Sequence, residues 1–370
     1  MKIRMLALLL PFFLMGCSSD DPANAGVSGE DRCAITYRVT AGNVQTRAEA
    51  ITSSNFSVEG RQFRLYGWMT DTETLNASRE YLKSNFNSYE LAGREVTYHS
   101  GKWSIQSDNG DDYYWPRSKY RVDCYAVYPK EIINKYNASA NLFLFTGEAC
   151  VTGDADVMYA TYQGQRAGRD LNEKSKTVDL DFKHIFSQVQ FKANKSSELT
   201  VTINSLEICN VYKEGTFTIG VIGTDTPSWG EIATGLGSYS LPLKSTSVSL
   251  TGEAQSLNAA DGMLMLIPQT RTKWDTNHTI AANDADDGAK GTYLKIGCSV
   301  TMGGSEYSDN GYVYLPLDIA WTMGYNYTYT LGFGTGYASN GEKTLTDITL
   351  TATVTDWVEG TSESQSDIHI

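Results

Sequence analysis

Between Leu345 and Trp357 apolar and hydroxyl residues alternate: Ile348, Leu350, Ala352 and Val354 fall on one side, Thr349, Thr351, Thr353 and Thr355 on the other. Successive side chains of a β-strand point to opposite faces, so this period of two makes a strip with one apolar and one hydroxyl face. Wound as a helix, the same four apolar residues would scatter around the axis. The pattern recurs at residues 34–40, which put Ile35, Tyr37 and Val39 opposite Thr36, Arg38 and Thr40. Strand-like runs also occupy 62–69, 121–128, 177–182, 184–193, 198–209, 293–302, 312–316 and 325–332. With 23 tyrosines and 33 glycines, the composition suits half-buried pleated surfaces joined by tight turns. The chain is expected to be all-β, with two tandem β-sandwiches of Greek-key type, one in each half.

Local punctuation sets the finer reading. Ser100-Gly101 separates 95–99 from 102–105 as a hairpin turn, and Glu59-Gly60-Arg61 separates a short strand at Phe56-Ser57-Val58 from the strand at 62–69. A short helix is predicted at 131–136. Beyond the first 16 residues, roughly 350 residues exceed what one core usually holds. The boundary is placed near Lys183, which gives an N-terminal domain at 48–183 and a C-terminal domain at 184–370.

The first residues have the layout of an export signal: Lys2 and Arg4, a short apolar run from Met5 to Leu14, then Leu14-Met15-Gly16-Cys17. The run is too short to span a bilayer. Leu-x-Gly-Cys is the bacterial lipobox, in which the cysteine thiol receives diacylglycerol and becomes the new N-terminus. Residues 1–16 are therefore read as a lipoprotein signal peptide and Cys17 as the lipidation site, with an ordinary signal peptide and an incidental cysteine as the other reading. The polar Ser18-Ser19-Asp20-Asp21 that follows favours an outer-membrane destination. Residues 17–47 form a leader that carries the strand at 34–40 and ends on an isolated arginine in Gln45-Thr46-Arg47-Ala48. Arg47 is either a protease site or a solvated loop residue.

The formal charge is −13 with no basic cluster, which argues against nucleic acid or anionic headgroups as partners. Among six cysteines, Cys124, Cys209 and Cys298 sit in apolar runs and are expected as buried thiols. His99, His184, His278 and His369 lack metal-ligand spacing, and His184 is read as a residue at a strand start. Asn283-Asp284-Ala285-Asp286-Asp287-Gly288 misses the calcium-loop register and is read as a solvated hairpin loop. Gly332-Phe333-Gly334-Thr335-Gly336 is a strand end rather than a phosphate loop, since no helix follows. No Gly-x-Ser-x-Gly elbow occurs. The expectation is a protein without metal, cofactor or enzymatic activity. Tyr113, Tyr114 and Trp115, or Tyr325, Tyr327 and Tyr329, could stack on sugar rings, although the spacing of two in the second group fits core or interface better.

Several of these pieces stand in an order that resembles the fimbrillin family, the lipoprotein subunits of type V pili. They are the lipobox ending in Cys17, Thr46-Arg47-Ala48, Tyr125-Ala126-Val127-Tyr128-Pro129 after Trp115-Pro116, His184-Ile185-Phe186-Ser187-Gln188-Val189, Met265-Leu266-Ile267-Pro268-Gln269, Tyr325-Asn326-Tyr327-Thr328-Tyr329-Thr330-Leu331, and Val354-Thr355-Asp356-Trp357. The resemblance implies two transthyretin-like β-sandwich domains and export to the outer membrane through lipid on Cys17. It also implies cleavage between Arg47 and Ala48 by an arginine-specific surface protease, then donor-strand exchange with other pilin subunits in a cell-surface fimbrium that supports adhesion to a glycan or protein. Losing Ile35, Tyr37 and Val39 would forfeit on the order of 5–8 kcal/mol if all three were fully buried. An open groove of that kind calls for a replacement strand. The tail after Trp357 is short and polar up to Ile368 and Ile370, so a tip or accessory subunit that receives a strand and donates none also fits. The alternative is an outer-membrane-anchored glycan-binding lipoprotein that does not polymerise.

Overall fold

The structure is a computed structural model that describes residues 36–41, 56–71, 94–105, 120–131, 136–137, 142–146, 156–163, 177–220, 222–223, 225–230, 235–259, 262–285, 290–306, 311–337, 343–356 and 362–363. It is all-β apart from one short helix and a few turns. The first half contributes Thr36–Ala41 (β1), Gln62–Asp71 (β2), Arg94–His99 (β3), Lys102–Ile105 (β4), Tyr120–Tyr128 (β5), Tyr136–Asn137 (β6), Leu142–Thr146 (β7), Met158–Tyr162 (β8) and Thr177–His184 (β9). Seven of these close into a barrel in the order β1-β4-β3-β2-β5-β8-β9. Every contact in the ring is antiparallel except the β1–β9 join, which is parallel. The two-layer arrangement expected for this half is thus replaced by one continuous sheet, because β1 bonds to a strand on each side and leaves no edge.

Aromatic rings fill the barrel. Phe56 packs on Phe182 at 5.0 Å, on Trp103 at 5.3 Å and on Tyr128 at 5.2 Å between ring centroids, and Phe63 lies 5.1 Å from both Trp103 and Phe182. Phe56 is not in a strand, contrary to the sequence reading. It opens a turn in which the Val58 amide bonds the Phe56 carbonyl and the Arg61 amide bonds the Val58 carbonyl. Gly60 sits at φ 81°, a left-handed conformation that suits glycine. The turn aims the Phe56 ring into the barrel, and the Trp103 indole donates to Ser57 Oγ at 3.2 Å. The β3–β4 hairpin turns at Ser100 and Gly101 with φ of 50° and 82°, the positive pair that a two-residue turn matched to strand twist requires.

The second half contributes Ser187–Lys195 (β10), Leu199–Tyr212 (β11), Glu214–Thr218 (β12), Ser228–Trp229 (β13), Leu236–Ser240 (β14), Val248–Ser249 (β15), Gln255–Ser256 (β16), Leu264–Leu266 (β17), Thr270–Arg271 (β18), helix Ile280–Ala285 (α1), Tyr293–Met302 (β19), Ser305–Glu306 (β20), Tyr312–Pro316 (β21), Ile319–Ala320 (β22), Tyr325–Phe333 (β23), Thr335–Tyr337 (β24), Lys343–Leu345 (β25), Thr349–Asp356 (β26) and Ser362–Glu363 (β27). Two six-stranded sheets dominate. One runs β16-β10-β23-β26-β27 with β17 beside β10, and the other runs β14-β11-β19-β20 with β15 beside β11 and β21 beside β19. Both turn alternate residues into one core. Phe191, Tyr327, Tyr329, Leu331 and Leu350 come from the first sheet, and Val201, Ile208, Leu294, Ile296 and Leu315 from the second.

The two halves are fused rather than strung together. A third apolar cluster joins Tyr66, Tyr125, Val127 and Tyr159 of the barrel to Ile185, Phe186, Phe217, Ile219 and Met265. A four-stranded sheet in the order β13-β12-β7-β6 takes two strands from each half. Tyr125 donates to the Gly220 carbonyl at 2.9 Å and accepts from the Ile222 amide at 3.3 Å, while the Trp229 indole donates to the Ile185 carbonyl at 2.6 Å. His184 is the last residue of β9 rather than the first of a strand; its Nδ1 lies 2.8 Å from Asp156 Oδ1, both side chains being buried.

Two smaller expectations change. The predicted loop at 283–288 begins inside α1, where the Asn283 side chain is buried and bonds the Gly291 carbonyl and amide; residues 286–288 lie outside the described residues. The helix expected at 131–136 is not formed as such: 130–131 belong to a 3₁₀ turn, Tyr136 starts β6, and 132–135 lie outside the described residues. Cys124, Cys209 and Cys298 are buried, as their apolar runs require.

Two tests follow from the packing. Phe182→Ala removes a ring that touches Phe56 and Phe63 and is expected to destabilise the chain by about 3–5 kcal/mol in urea unfolding, against less than about 0.5 kcal/mol for the exposed Thr351→Ala. Burial pushes the Cys298 thiol up to about 11, so its thiolate is scarce at neutral pH. Peptide mapping after iodoacetamide treatment should show Cys124, Cys209 and Cys298 unlabelled in the folded protein and labelled in urea; labelling of the folded chain at these positions would contradict the packing.

Candidate functional site

The feature that sets this molecule apart from an ordinary closed barrel is the strand that closes it. β1 lies six residues deep along β9, from Thr36 opposite Thr177 to Ala41 opposite Phe182, and among the described residues it meets β4 in the pair Tyr37–Trp103. Among those residues, one side of β1 is paired along its length and the other at Tyr37. Its alternation decides which face goes where. Tyr37 and Val39 are half-buried against the barrel core and Ala41 is fully buried, while Thr36, Arg38 and Thr40 are exposed.

Each exposed residue has a partner on β9. Thr36 Oγ1 lies 2.9 Å from Thr177 Oγ1, Arg38 Nη2 donates to Asp179 Oδ2 at 2.6 Å, and Thr40 Oγ1 donates to Asp181 Oδ1 at 3.0 Å. The hydrogen bond from Asp179 and its charge raise the Arg38 pKa and keep the guanidinium charged. Because the pair stands in water it adds little stability. Its value is in register: a one-residue slip would turn Arg38 toward the aromatic interior and Val39 toward solvent. The matching signal was present in the sequence, where Asp179 and Asp181 alternate with Val178, Leu180 and Phe182. Only the choice of β9 as a parallel partner could not be read from it.

Of the other expected site residues, Ile348, Leu350, Ala352 and Val354 line the core side of the C-terminal strand region, with Leu350 buried and the other three partly buried. β26 pairs with β23 over eight residues, from Thr349 opposite Gly332 to Asp356 opposite Tyr325. Among the described residues its other edge meets β27 at Val354–Glu363 and Thr355–Ser362. Cys17, Ile35, Arg47 and Ala48 lie outside the described residues, as do Tyr113, Tyr114 and Trp115. Tyr327 and Tyr329 are core residues, with Tyr327 bonding the Ala320 carbonyl and the Trp321 indole donating to Tyr329 Oη at 2.9 Å. Tyr325 stays partly exposed on the same strand.

Among the described residues no group of three or more His, Cys, Asp or Glu side chains converges as a metal site.

Comparison with known proteins agrees with the fold. A fimbrial protein from Bacteroides vulgatus shares 14% identity, with 88% of this chain and 99% of that chain covered and a TM-score of 0.50. The tip fimbrial protein Mfa3 from Porphyromonas gingivalis, with a C-terminal truncation, shares 11% identity over 84% of this chain and 97% of its own, with a TM-score of 0.40. No curated protein sequence matches the chain. The model of the fimbrillin-like family matches residues 46–357, beginning after β1 and ending just beyond β26. A match over most of the chain places it: the protein belongs to the fimbrillin-like family.

Proposed function

We propose that this chain is a subunit of a surface fimbrium whose β1 is a removable strand. The observation that carries the reading is that β1 closes the barrel between β9 and β4, through a parallel join of six pairs on β9 and, among the described residues, one pair on β4. In this reading the chain is exported as a lipoprotein, held in the outer membrane through Cys17, and cut between Arg47 and Ala48 by an arginine-specific surface protease. The start of the family match at residue 46 supports treating the leader as a separate part.

Tyr37 and Val39 are only half-buried, so removing β1 costs less than full burial implies: about 2–5 kcal/mol with Ala41 included. That is a fraction of a typical domain stability of about 5–15 kcal/mol. The barrel then stays folded but has two unpaired edges, β9 and β4, flanking Trp103 and Phe182. A strand from another subunit that places apolar residues at alternate positions would close it again. On the donor side, β27 pairs the tail onto its own sheet. This favours a tip or accessory subunit that accepts a strand over a stalk subunit that also gives one, with adhesion as the downstream role. In the second half, two sheets sharing one core fit the β-sandwich reading. The alternative, an anchored glycan-binding lipoprotein that does not polymerise, keeps β1 in place throughout.

Limited digestion with a trypsin-like protease, followed by intact-mass and N-terminal analysis, tests the reading. The expected product starts at Ala48, has lost β1, melts at a lower temperature, and recovers stability when a synthetic peptide of residues 34–41 is added. Arg47→Ala should block both cleavage and the formation of SDS-resistant ladders. A chain that remains monomeric and equally stable after cleavage at Arg47 would defeat the proposal.

A further inference from the structure

A second surface, far from the seam in sequence, has the character of a ligand platform. β19 and β21 pair from Tyr293–Pro316 to Gly297–Tyr312. Val313 and Leu315 of β21 face the core, so Tyr312 and Tyr314 stand on the outer face. Rings run on from one to the next. Tyr312 lies 6.4 Å from Tyr314, Tyr314 lies 6.1 Å from Tyr293, and Tyr293 lies 6.2 Å from Trp274, centroid to centroid. Tyr293 is buried beneath this ribbon, whereas Tyr312 is 38% exposed, among the largest exposures of any big apolar side chain described.

Lys295 supplies a charge at the same place. It stands opposite Glu207 on one side and Tyr314 on the other, yet its ammonium turns to the Tyr312 ring, 4.7 Å from the centroid. Among the described residues it makes no ion pair. Next along the outer face of the strand, opposite Tyr312, Gly297 carries no side chain, and a Cβ there would meet Ser205 Oγ at 2.3 Å. The outward residues that continue β19 are Ser299 and Thr301, hydroxyl-bearing rather than aliphatic.

We propose that this face binds an acidic oligosaccharide, with a pyranose ring stacked on Tyr312 and Tyr314 and its carboxylate on Lys295. The chemistry of the face decides between occupants. Aromatic rings present a negative π-face to the C–H side of a sugar, and the nearby hydroxyls suit its rim. The buried centre of a protein interface would be expected to carry more apolar surface than this face shows. Lys295, without an ion pair among the described residues, is a positive charge beside the exposed rings in a chain of net charge −13, which favours a carboxylated sugar over a neutral one. The proposal concerns the second half and holds whether or not β1 is exchanged.

Titration calorimetry on the full chain with a galacturonic acid hexamer, 3′-sialyllactose and neutral cellohexaose tests it. One carboxylated probe should bind, at least about tenfold more tightly than the neutral one, and the probe that binds tells a uronate polymer from a sialylated terminus. Tyr312→Ala/Tyr314→Ala should weaken that binding by about tenfold or more, and Lys295→Gln should erase the preference for the acidic probe. Thermal melts establish that the variants fold. Absence of binding by both acidic probes, or unchanged binding by the double tyrosine variant, would overturn the proposal. So would loss of self-association in that variant without any sugar binding, which would make the face a contact between copies.

Discussion

A sheet has two edges, and each carries unpaired backbone groups that must be covered, blunted or bonded. In the first half of this protein the solution is β1. Placed between β9 and β4, it turns a six-stranded open sheet into a ring and seals a core made of Phe56, Phe63, Trp103 and Phe182. The rest of the half depends on that closure, because the aromatic cluster lies directly behind the seam. β1 achieves it with little buried surface of its own: one alanine is fully buried and two larger side chains are half-buried, while the polar ladder to Thr177, Asp179 and Asp181 holds the register.

The opposite economy holds at the junction of the halves. There the Tyr125–Gly220 and Trp229–Ile185 hydrogen bonds, the shared sheet, and a cluster drawing on both halves bond them over a broad area. Buried partners such as His184 and Asp156 add a polar contact that is costly to break, because either group left alone would be desolvated without compensation. A molecule built this way leaves the closure of its barrel to one short strand, while hydrogen bonds, a shared sheet and a common apolar cluster connect its two cores. For a subunit proposed to pass load along a filament, that is the useful arrangement: strand exchange at the seam need not loosen the body.

Much of this was legible in the sequence. Period-two alternation placed most of the long strands, the bounds of β19 and β21 were read to the residue, and Ser100-Gly101 marked its hairpin. Buried cysteines in apolar runs were also correctly read. What the sequence hid was whatever depends on non-local pairing. Nothing in residues 34–40 says that their partner is 140 residues away and parallel, and that one pairing separates a barrel from an open sandwich. Phe56-Ser57-Val58 misled because a buried aromatic in a turn has the composition of a strand end. The helix at 280–285 was missed for a different reason. Its six residues are too few to show a helical period, and Asn283 and Asp284 have the composition of a loop; it is held by the Asn283 bonds to Gly291 and by Thr279, whose hydroxyl accepts from the Ala282 amide.

The same alternating pattern has two fates in this chain, and the difference is in the neighbours rather than in the strand. β26 presents four threonines to solvent and a row of apolar residues to the core, much as β1 presents Thr36, Arg38 and Thr40 outward and Tyr37 and Val39 inward. β26 has eight consecutive partners on β23, follows a chain that is already folded, and lies over a core of nearly thirty residues shared by two sheets. β1 precedes everything it packs against, has one substantial partner, and covers a smaller core. Removing β26 would strip one side of a core shared by two sheets, whereas removing β1 would open a slot between β9 and β4. On the proposed reading a strand is exchangeable where the groove outlives it, a condition that favours the N-terminal seam over the C-terminal edge.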